Sequence, residues 1–359
     1  MTRSRRSLLT ALAGSATLLG GCGASEREST PTRDGGTPSV TFTTPTPTAE
    51  DTATPTETPT DEPTETPDPV AEALAAARGD IETAIARLES AAVVADGRVA
   101  LVTEDAFAEY AAAKDPRSPV REARERLDFV SDRATGDRGR SVNGLLFLCE
   151  YLDTRAVEHD RIVDGFSSFY QANRAFPAEL KLDAASAAIG DMQALQERAR
   201  TAGELLDRVE PRADALGVEG FDLRSARKRQ RVFQSIGREF EPAFAGTRSM
   251  LRAYGLTSAT APAIERGEYA QAEEFATNAV TAAENGRRFT ATAFERDVRH
   301  FRDVFEQDRC LCDGLHTAGE HYQSAARAYR EGQAETGRER YRAAKDALEA
   351  TEAECGIDL

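Results

Sequence analysis

VNGLLFLCEYLDTRAVEHDRIVDGFSSFY, residues 142–170, holds Val142, Leu145, Cys149, Leu152, Ala156, His159, Val163, Phe166 and Tyr170 at steps of three and four. That period is the period of one face of an α-helix, so the spacing predicts a single long helix with a buried stripe. Downstream, Phe233, Ile236, Phe240, Phe244, Thr247, Leu251 and Tyr254 repeat the pattern. Asp222 is the expected N-cap of that second helix, Gly255 its expected stop, and Pro242 a predicted kink. Phe294, Val298, Phe301 and Phe305 mark a third stripe. No comparable stretch alternates with period two. Tryptophan is absent and aromatic residues are 7%, a composition that favours helices packed through Ala, Leu, Val and Phe. The expected fold class is all-α, a bundle of long amphipathic helices over residues 69–359, with a possible internal boundary at 256–262.

Upstream of the helices the sequence reads as an address. Residues 1–6 are basic and residues 8–19 are apolar, diluted by Gly14, Ser15 and Thr17. Twelve residues are too few to span a bilayer, which takes about twenty. Arg5 and Arg6 precede the apolar run in a pattern that resembles the twin-arginine export signal. Leu19-Gly20-Gly21-Cys22 resembles a lipobox. The resemblance implies a signal peptide over 1–21, a folded export substrate, and Cys22 as the lipidated N-terminus. Stable attachment takes two acyl chains, because one anchors only marginally.

Residues 22–68 form a tether. Between Thr30 and Pro69 lie fifteen threonines and nine of the fifteen prolines, a composition that cannot bury enough apolar surface to offset the entropy of ordering. Polyproline II geometry would extend these forty residues to about 120 Å. The tract is either an O-glycosylated stalk or an unmodified acidic spacer.

The chain carries 61 acidic against 45 basic side chains, a net charge of −16. Loss of Arg3, Arg5 and Arg6 with the signal leaves 42 basic side chains and a balance of −19. Only Lys114, Lys181, Lys228 and Lys345 are lysines. Acid excess with scarce lysine resembles the proteins of salt-accumulating halophiles, where a Debye length of about 3 Å quenches self-repulsion. Together with the export signal, it resembles a surface lipoprotein of a halophilic archaeon. The charge argues against nucleic acid as a partner, since phosphate binding needs local basicity.

Three segments resemble the second half of a tetratricopeptide unit. They are Gly267-Glu268-Tyr269-Ala270 with Ala276 and Ala279; Gly79-Asp80-Ile81 with Ala84, Leu88 and Ala91; and Gly332 with Gly337, Tyr341 and Ala344. In each, glycine is expected to break one helix and alanines to let the next approach closely. The spacing departs from the 34-residue period of a tandem array, so the expectation is hairpins within a bundle.

Four cysteines follow the lipobox: Cys149, Cys310, Cys312 and Cys355. Outside the cell an even count favours disulfides. Cys310 and Cys312 are too close to bond to each other without strain, so any two bridges join that pair to Cys149 and Cys355. Because Cys149 sits on the long stripe, a buried free thiol there is the alternative. Cys310, Cys312, His316 and His321 are weak metal candidates, since thiolate and imidazole suit zinc or copper. Their spacing misses Cys-x2-Cys, and neither the Glu-x-x-His of helical di-metal families nor the His-x-x-Glu of imelysin-like lipoproteins occurs. His159 reads as a core histidine. The basic cluster Arg224, Arg227, Lys228, Arg229 and Arg231 is expected to pair with nearby carboxylates. Arg78-Gly79-Asp80 resembles an adhesion tripeptide but is too short to be informative.

No Gly-x-Ser-x-Gly, phosphate loop, His-Glu-x-x-His or dinucleotide fingerprint is present. The expected function is that of a non-catalytic, cofactor-free scaffold, lipid-anchored at the outer face of the membrane, that binds another protein or an envelope component. The alternative is a solute- or metal-binding lipoprotein with a site near Cys310–His321.

Overall fold

A computed structural model describes residues 68–91, 115–295 and 302–357, together with the backbone at 94–95 and 98–99. Arg5, Arg6, Cys22 and the tether up to residue 67 lie outside the described residues, as do Val298 and Phe301. The helices are α1 (Pro69–Ser90), α2 (Arg117–Val130), α3 (Gly136–Ala175), α4 (Leu182–Val209), the short α5 (Ala213–Leu216), α6 (Leu223–Glu265), α7 (Tyr269–Glu295), α8 (Arg302–Arg330) and α9 (Ala334–Cys355). Among the described residues a two-residue antiparallel ladder, β1 (Val94–Ala95) with β2 (Arg98–Val99), accompanies the helices. The all-α architecture is the one the periodicity predicts.

The long stripe becomes α3, 40 residues in one helix. Asp222 caps α6 as expected, its carboxylate accepting from Ser225 N at 2.7 Å. Gly255 does not end that helix. It continues to Glu265 through both Pro242 and Pro262, so residues 256–262 are helix interior rather than a boundary or a loop. Each proline removes one backbone donor, but the face of α6 stays buried, with Met250, Leu251, Ala253, Ala263 and Ile264 under neighbouring helices. Packing outweighs local propensity here. The third stripe divides between elements: Phe294 belongs to α7 and Phe305 to α8.

From Asp68 onward the helices belong to one compact unit, and consecutive long helices lie against each other, α3 on α4, α6 on α7, α7 on α8 and α8 on α9. One apolar cluster joins α1, α2 and the first half of α3 through Ile81, Leu127, Leu145 and Leu148. A second is aromatic, with Phe166 and Phe169 of α3 against Phe240 and Phe244 of α6 and Phe305 of α8. The last two clusters, toward the C-terminus, are built mainly from Ala, Leu and Tyr.

Two of the three glycine turns form hairpins. Gly267 (φ +75°) separates α6 from α7, and Gly332 (φ +79°) separates α8 from α9. Gly79 instead lies inside α1, which runs unbroken past it. One glycine in the middle of a helix costs only about 1 kcal/mol against alanine, less than the burial of Leu74, Ala77, Ile81 and Ile85 returns.

Candidate functional site

α1, α3 and α6 surround a cavity of about 730 Å³. Ile85 and Leu88 of α1, Tyr151 and Leu152 of α3, and Val232 and Phe233 of α6 provide its apolar walls. Helical spacing places the polar side chains. Tyr151, Arg155 and His159 follow at intervals of four along α3, and Arg229 and Phe233 are four apart on α6, so each set shares one face.

Arg155 and His159 both lie against Phe233. The guanidinium carbon is 3.7 Å from the ring centroid, and the imidazole stacks at 5.3 Å with an interplanar angle of 12°. Both are buried, Arg155 at 6% exposure. A flat cation over an aromatic face in a dry setting is worth about 2 kcal/mol. Arg155 Nη1 donates to Glu158 Oε2 at 2.6 Å, and its Nη2 lies 3.5 Å from His159 Nε2. Glu158 has no exposed surface, and its Oε1 has no hydrogen-bond partner among the described residues.

Burial pushes Glu158 up to about 7, outweighing the opposite pull of Arg155. Burial first, then the charges of Arg155 and Arg229, hold His159 well below its ordinary range, so its imidazole is neutral. Since an arginine N–H can only donate, Nε2 is the acceptor in its contact with Arg155. At the rim, Arg229 Nη1 pairs with Glu89 Oε1 at 2.6 Å. Asp222 is committed to capping α6. Lys228, also on the wall, has no carboxylate within ion-pair reach among the described residues.

No family model, curated protein or solved structure matches this chain. The side chains around the cavity therefore carry the functional argument alone.

The cysteines divide differently from the two-bridge expectation. Cys310 and Cys355 form a disulfide that ties α9 to α8. Cys149 and Cys312 are free and buried, in different apolar clusters. Burial pushes the Cys149 thiol up to about 12, and Cys312 higher still, which makes both poor nucleophiles at neutral pH.

The four metal candidates do not converge. Cys310 is spent in the disulfide, and Cys312 faces Gly286 of α7. His316 lies between carboxylates, its Nε2 3.4 Å from Glu284 and its Nδ1 3.6 Å from Glu320. Among the described residues no group of three or more His, Cys, Asp or Glu side chains is placed to hold a metal ion. The depression over Cys310 is lined instead by Arg302, Glu306, Asp313, Gly314 and Thr317.

The basic cluster pairs in part: Arg229 with Glu89 at 2.6 Å and Arg227 with two carboxylates, while Lys228 has no such partner among the described residues. Arg227 bridges Asp207 and Glu210, both at 2.8 Å. The Arg78-Gly79-Asp80 charges serve the fold: Arg78 Nε donates to Leu216 O at 2.7 Å, and Asp80 pairs with Arg126 at 2.8 Å.

Sequence reasoning placed His159 on a buried stripe but missed Arg155 and Glu158 beside it. The available signal was an Arg-x-x-Glu-His run inside an otherwise apolar helix face. The role of Phe233 had no local signal, because its partners sit some 75 residues earlier in the chain.

Proposed function

We propose that this protein is an exported, lipid-anchored, non-catalytic binding protein, and that its binding site is the cavity between α1, α3 and α6. The observation that carries the reading is the wall itself. A buried arginine and a neutral histidine lie against one phenylalanine ring beside a chamber of about 730 Å³ whose walls mix apolar and charged side chains. Chambers of this size, apolar with a few convergent polar groups, are the usual form of small-molecule sites. The anchor at Cys22 and the Thr/Pro tether would hold the chamber at the outer face of the membrane, within reach of solutes or envelope components. This reading moves the expected solute site away from Cys310–His321, where the disulfide consumes one candidate ligand.

The test is a thermal-shift screen of small solutes against the purified chain and a Val232→Trp variant. Val232 is half-buried on the cavity wall, so an indole there intrudes into the chamber and blocks part of it. At least one solute is expected to stabilise the wild type and leave the variant unmoved. Equal responses from both proteins across the screen would overturn the assignment.

A further inference from the structure

We infer that the groove between α4, α6 and α7 is a second site, which holds the phosphate group of a small phosphomonoester through Arg248, Arg252 and Arg288. The groove encloses about 440 Å³ and shares no lining residue with the cavity between α1, α3 and α6. Arg248 and Arg252 lie four apart on one face of α6, and Arg288 joins them from α7. Like charges at that spacing repel, and no carboxylate answers them. Neither Arg248 nor Arg252 makes an ion pair among the described residues. Arg288 contacts Asn285 Oδ1 at 3.1 Å and the Phe289 ring, 5.2 Å from its guanidinium.

Glu241 is the one acid on the groove wall. Both its oxygens are taken, each accepting at 2.8 Å from an α4 glutamine, Gln193 or Gln196. On the same helices Asp191 is bound to Arg161, Glu273 to Arg327 and Arg330, and Glu284 to His316. The adjoining depression toward α4 is lined by Arg248 and Arg252 again, with Ser186 and no acid. Elsewhere the balance is reversed. Over Cys310 two arginines meet three carboxylates, and Arg124 and Arg208 meet Glu150, Asp153 and Glu204. In a chain of net charge −16, a basic groove stands out as a place built to accept an anion.

Three cations against one carboxylate leave two positive charges, the match for a phosphomonoester above its second pKa near 6. Guanidinium forks bind phosphate oxygens in pairs, and three forks from two helices exceed what the two oxygens of a carboxylate can use. Ser249 and the Asn278 and Asn285 amides add neutral donors, while Ile189 and Ala245 offer apolar wall to the organic remainder. The acidic surface beyond the groove repels a long polyanion, so a small ester fits and a nucleic acid strand does not.

The experiment is isothermal titration calorimetry of the purified full-length chain in molar KCl at pH 8, with glycerol 3-phosphate, glycerate and glycerol. It is repeated on Arg248→Gln, Arg252→Gln, Arg342→Gln and Val232→Trp. The three arginines are exposed, so their replacement leaves the fold intact, and Arg342→Gln removes the same charge from α9. Expected are one-to-one binding of glycerol 3-phosphate, glycerate about fivefold weaker or more, and no binding of glycerol. Arg248→Gln and Arg252→Gln should each weaken glycerol 3-phosphate about fivefold, and Arg342→Gln and Val232→Trp should not change it. Sedimentation with phosphatidylcholine vesicles, with and without phosphatidic acid, separates the two sources of such a phosphate. Binding of glycerol 3-phosphate assigns it to a soluble ester; an Arg248-dependent gain from phosphatidic acid alone assigns it to a lipid headgroup. Absence of both overturns the site, as do equal affinities for glycerate and glycerol 3-phosphate, or equal losses in Arg342→Gln and Arg248→Gln. Loss of binding in Val232→Trp would move the phosphate to the other cavity and also overturn it.

Discussion

Replacing Glu158 by Gln tests the electrostatics of the buried cluster directly. Glu158 is buried, bonded through one oxygen to Arg155, and has its carboxyl raised from the usual 4.5 to about 7. The charge facing it is that of Arg155 on its own helix, with the neutral His159 imidazole and the Tyr151 hydroxyl nearby, while Arg229 from α6 acts on His159. Between pH 4.5 and 7 the folded state keeps a proton that the unfolded state releases, so this group's contribution to stability falls as pH rises. The slope is about 1.4 kcal/mol per pH unit, and the span of 2.5 units makes the total about 3 kcal/mol.

His159 works in the opposite direction. Held neutral in the fold, it is protonated only in the unfolded chain below its ordinary value of 6.5, so its contribution is lost as pH falls. The two slopes cancel in the wild type over much of this window and hide each other. Glutamine mimics the protonated carboxyl, so the difference between variant and wild type isolates the Glu158 proton. Urea unfolding followed at 222 nm in molar KCl, from pH 4.5 to 7.5, should show Glu158→Gln gaining about 3 kcal/mol on the wild type as pH rises. A difference that stays flat, or that shrinks with rising pH, refutes the reasoning.

Other outcomes follow from the same structure. Phe166→Ala empties a fully buried site between Phe240 and Phe244 and should cost about 3–5 kcal/mol in urea unfolding, whereas Phe129→Ala, at a ring 66% exposed, should cost less than about 0.5 kcal/mol. Cys355→Ser opens a link spanning 45 residues, and the chain-entropy relation puts the loss at about 4 kcal/mol, matched by dithiothreitol on the wild type and absent when the variant is reduced. Without reductant, a thiol reagent should label neither Cys149 nor Cys312 in the folded protein and both after denaturation. Lipidation at Cys22 predicts no third reactive thiol, and mass spectrometry of the mature N-terminus checks it.

The sequence by itself determined which segments are helical, because period and capping are local. The 3.6-residue stripe made α3, Asp222 started α6, and Gly267 and Gly332 turned the chain with positive φ. It also narrowed the cysteine problem, since Cys310 and Cys312 could not bond to each other. Where a helix ends proved partly non-local. Gly255, Pro262 and Gly79 are stop signals that neighbouring helices overrode by burying the faces on either side. Only the tertiary structure chose Cys310 as the partner of Cys355, because that choice depends on how α9 lies across α8. The cavity was likewise out of reach. Its walls come from residues 85–89, 151–159 and 220–233, and no local pattern encodes that three distant helix faces leave a gap between them. The charges of Arg155 and Glu158 acquire their meaning only there, because desolvation depends on what surrounds a side chain in space and not on its neighbours along the chain.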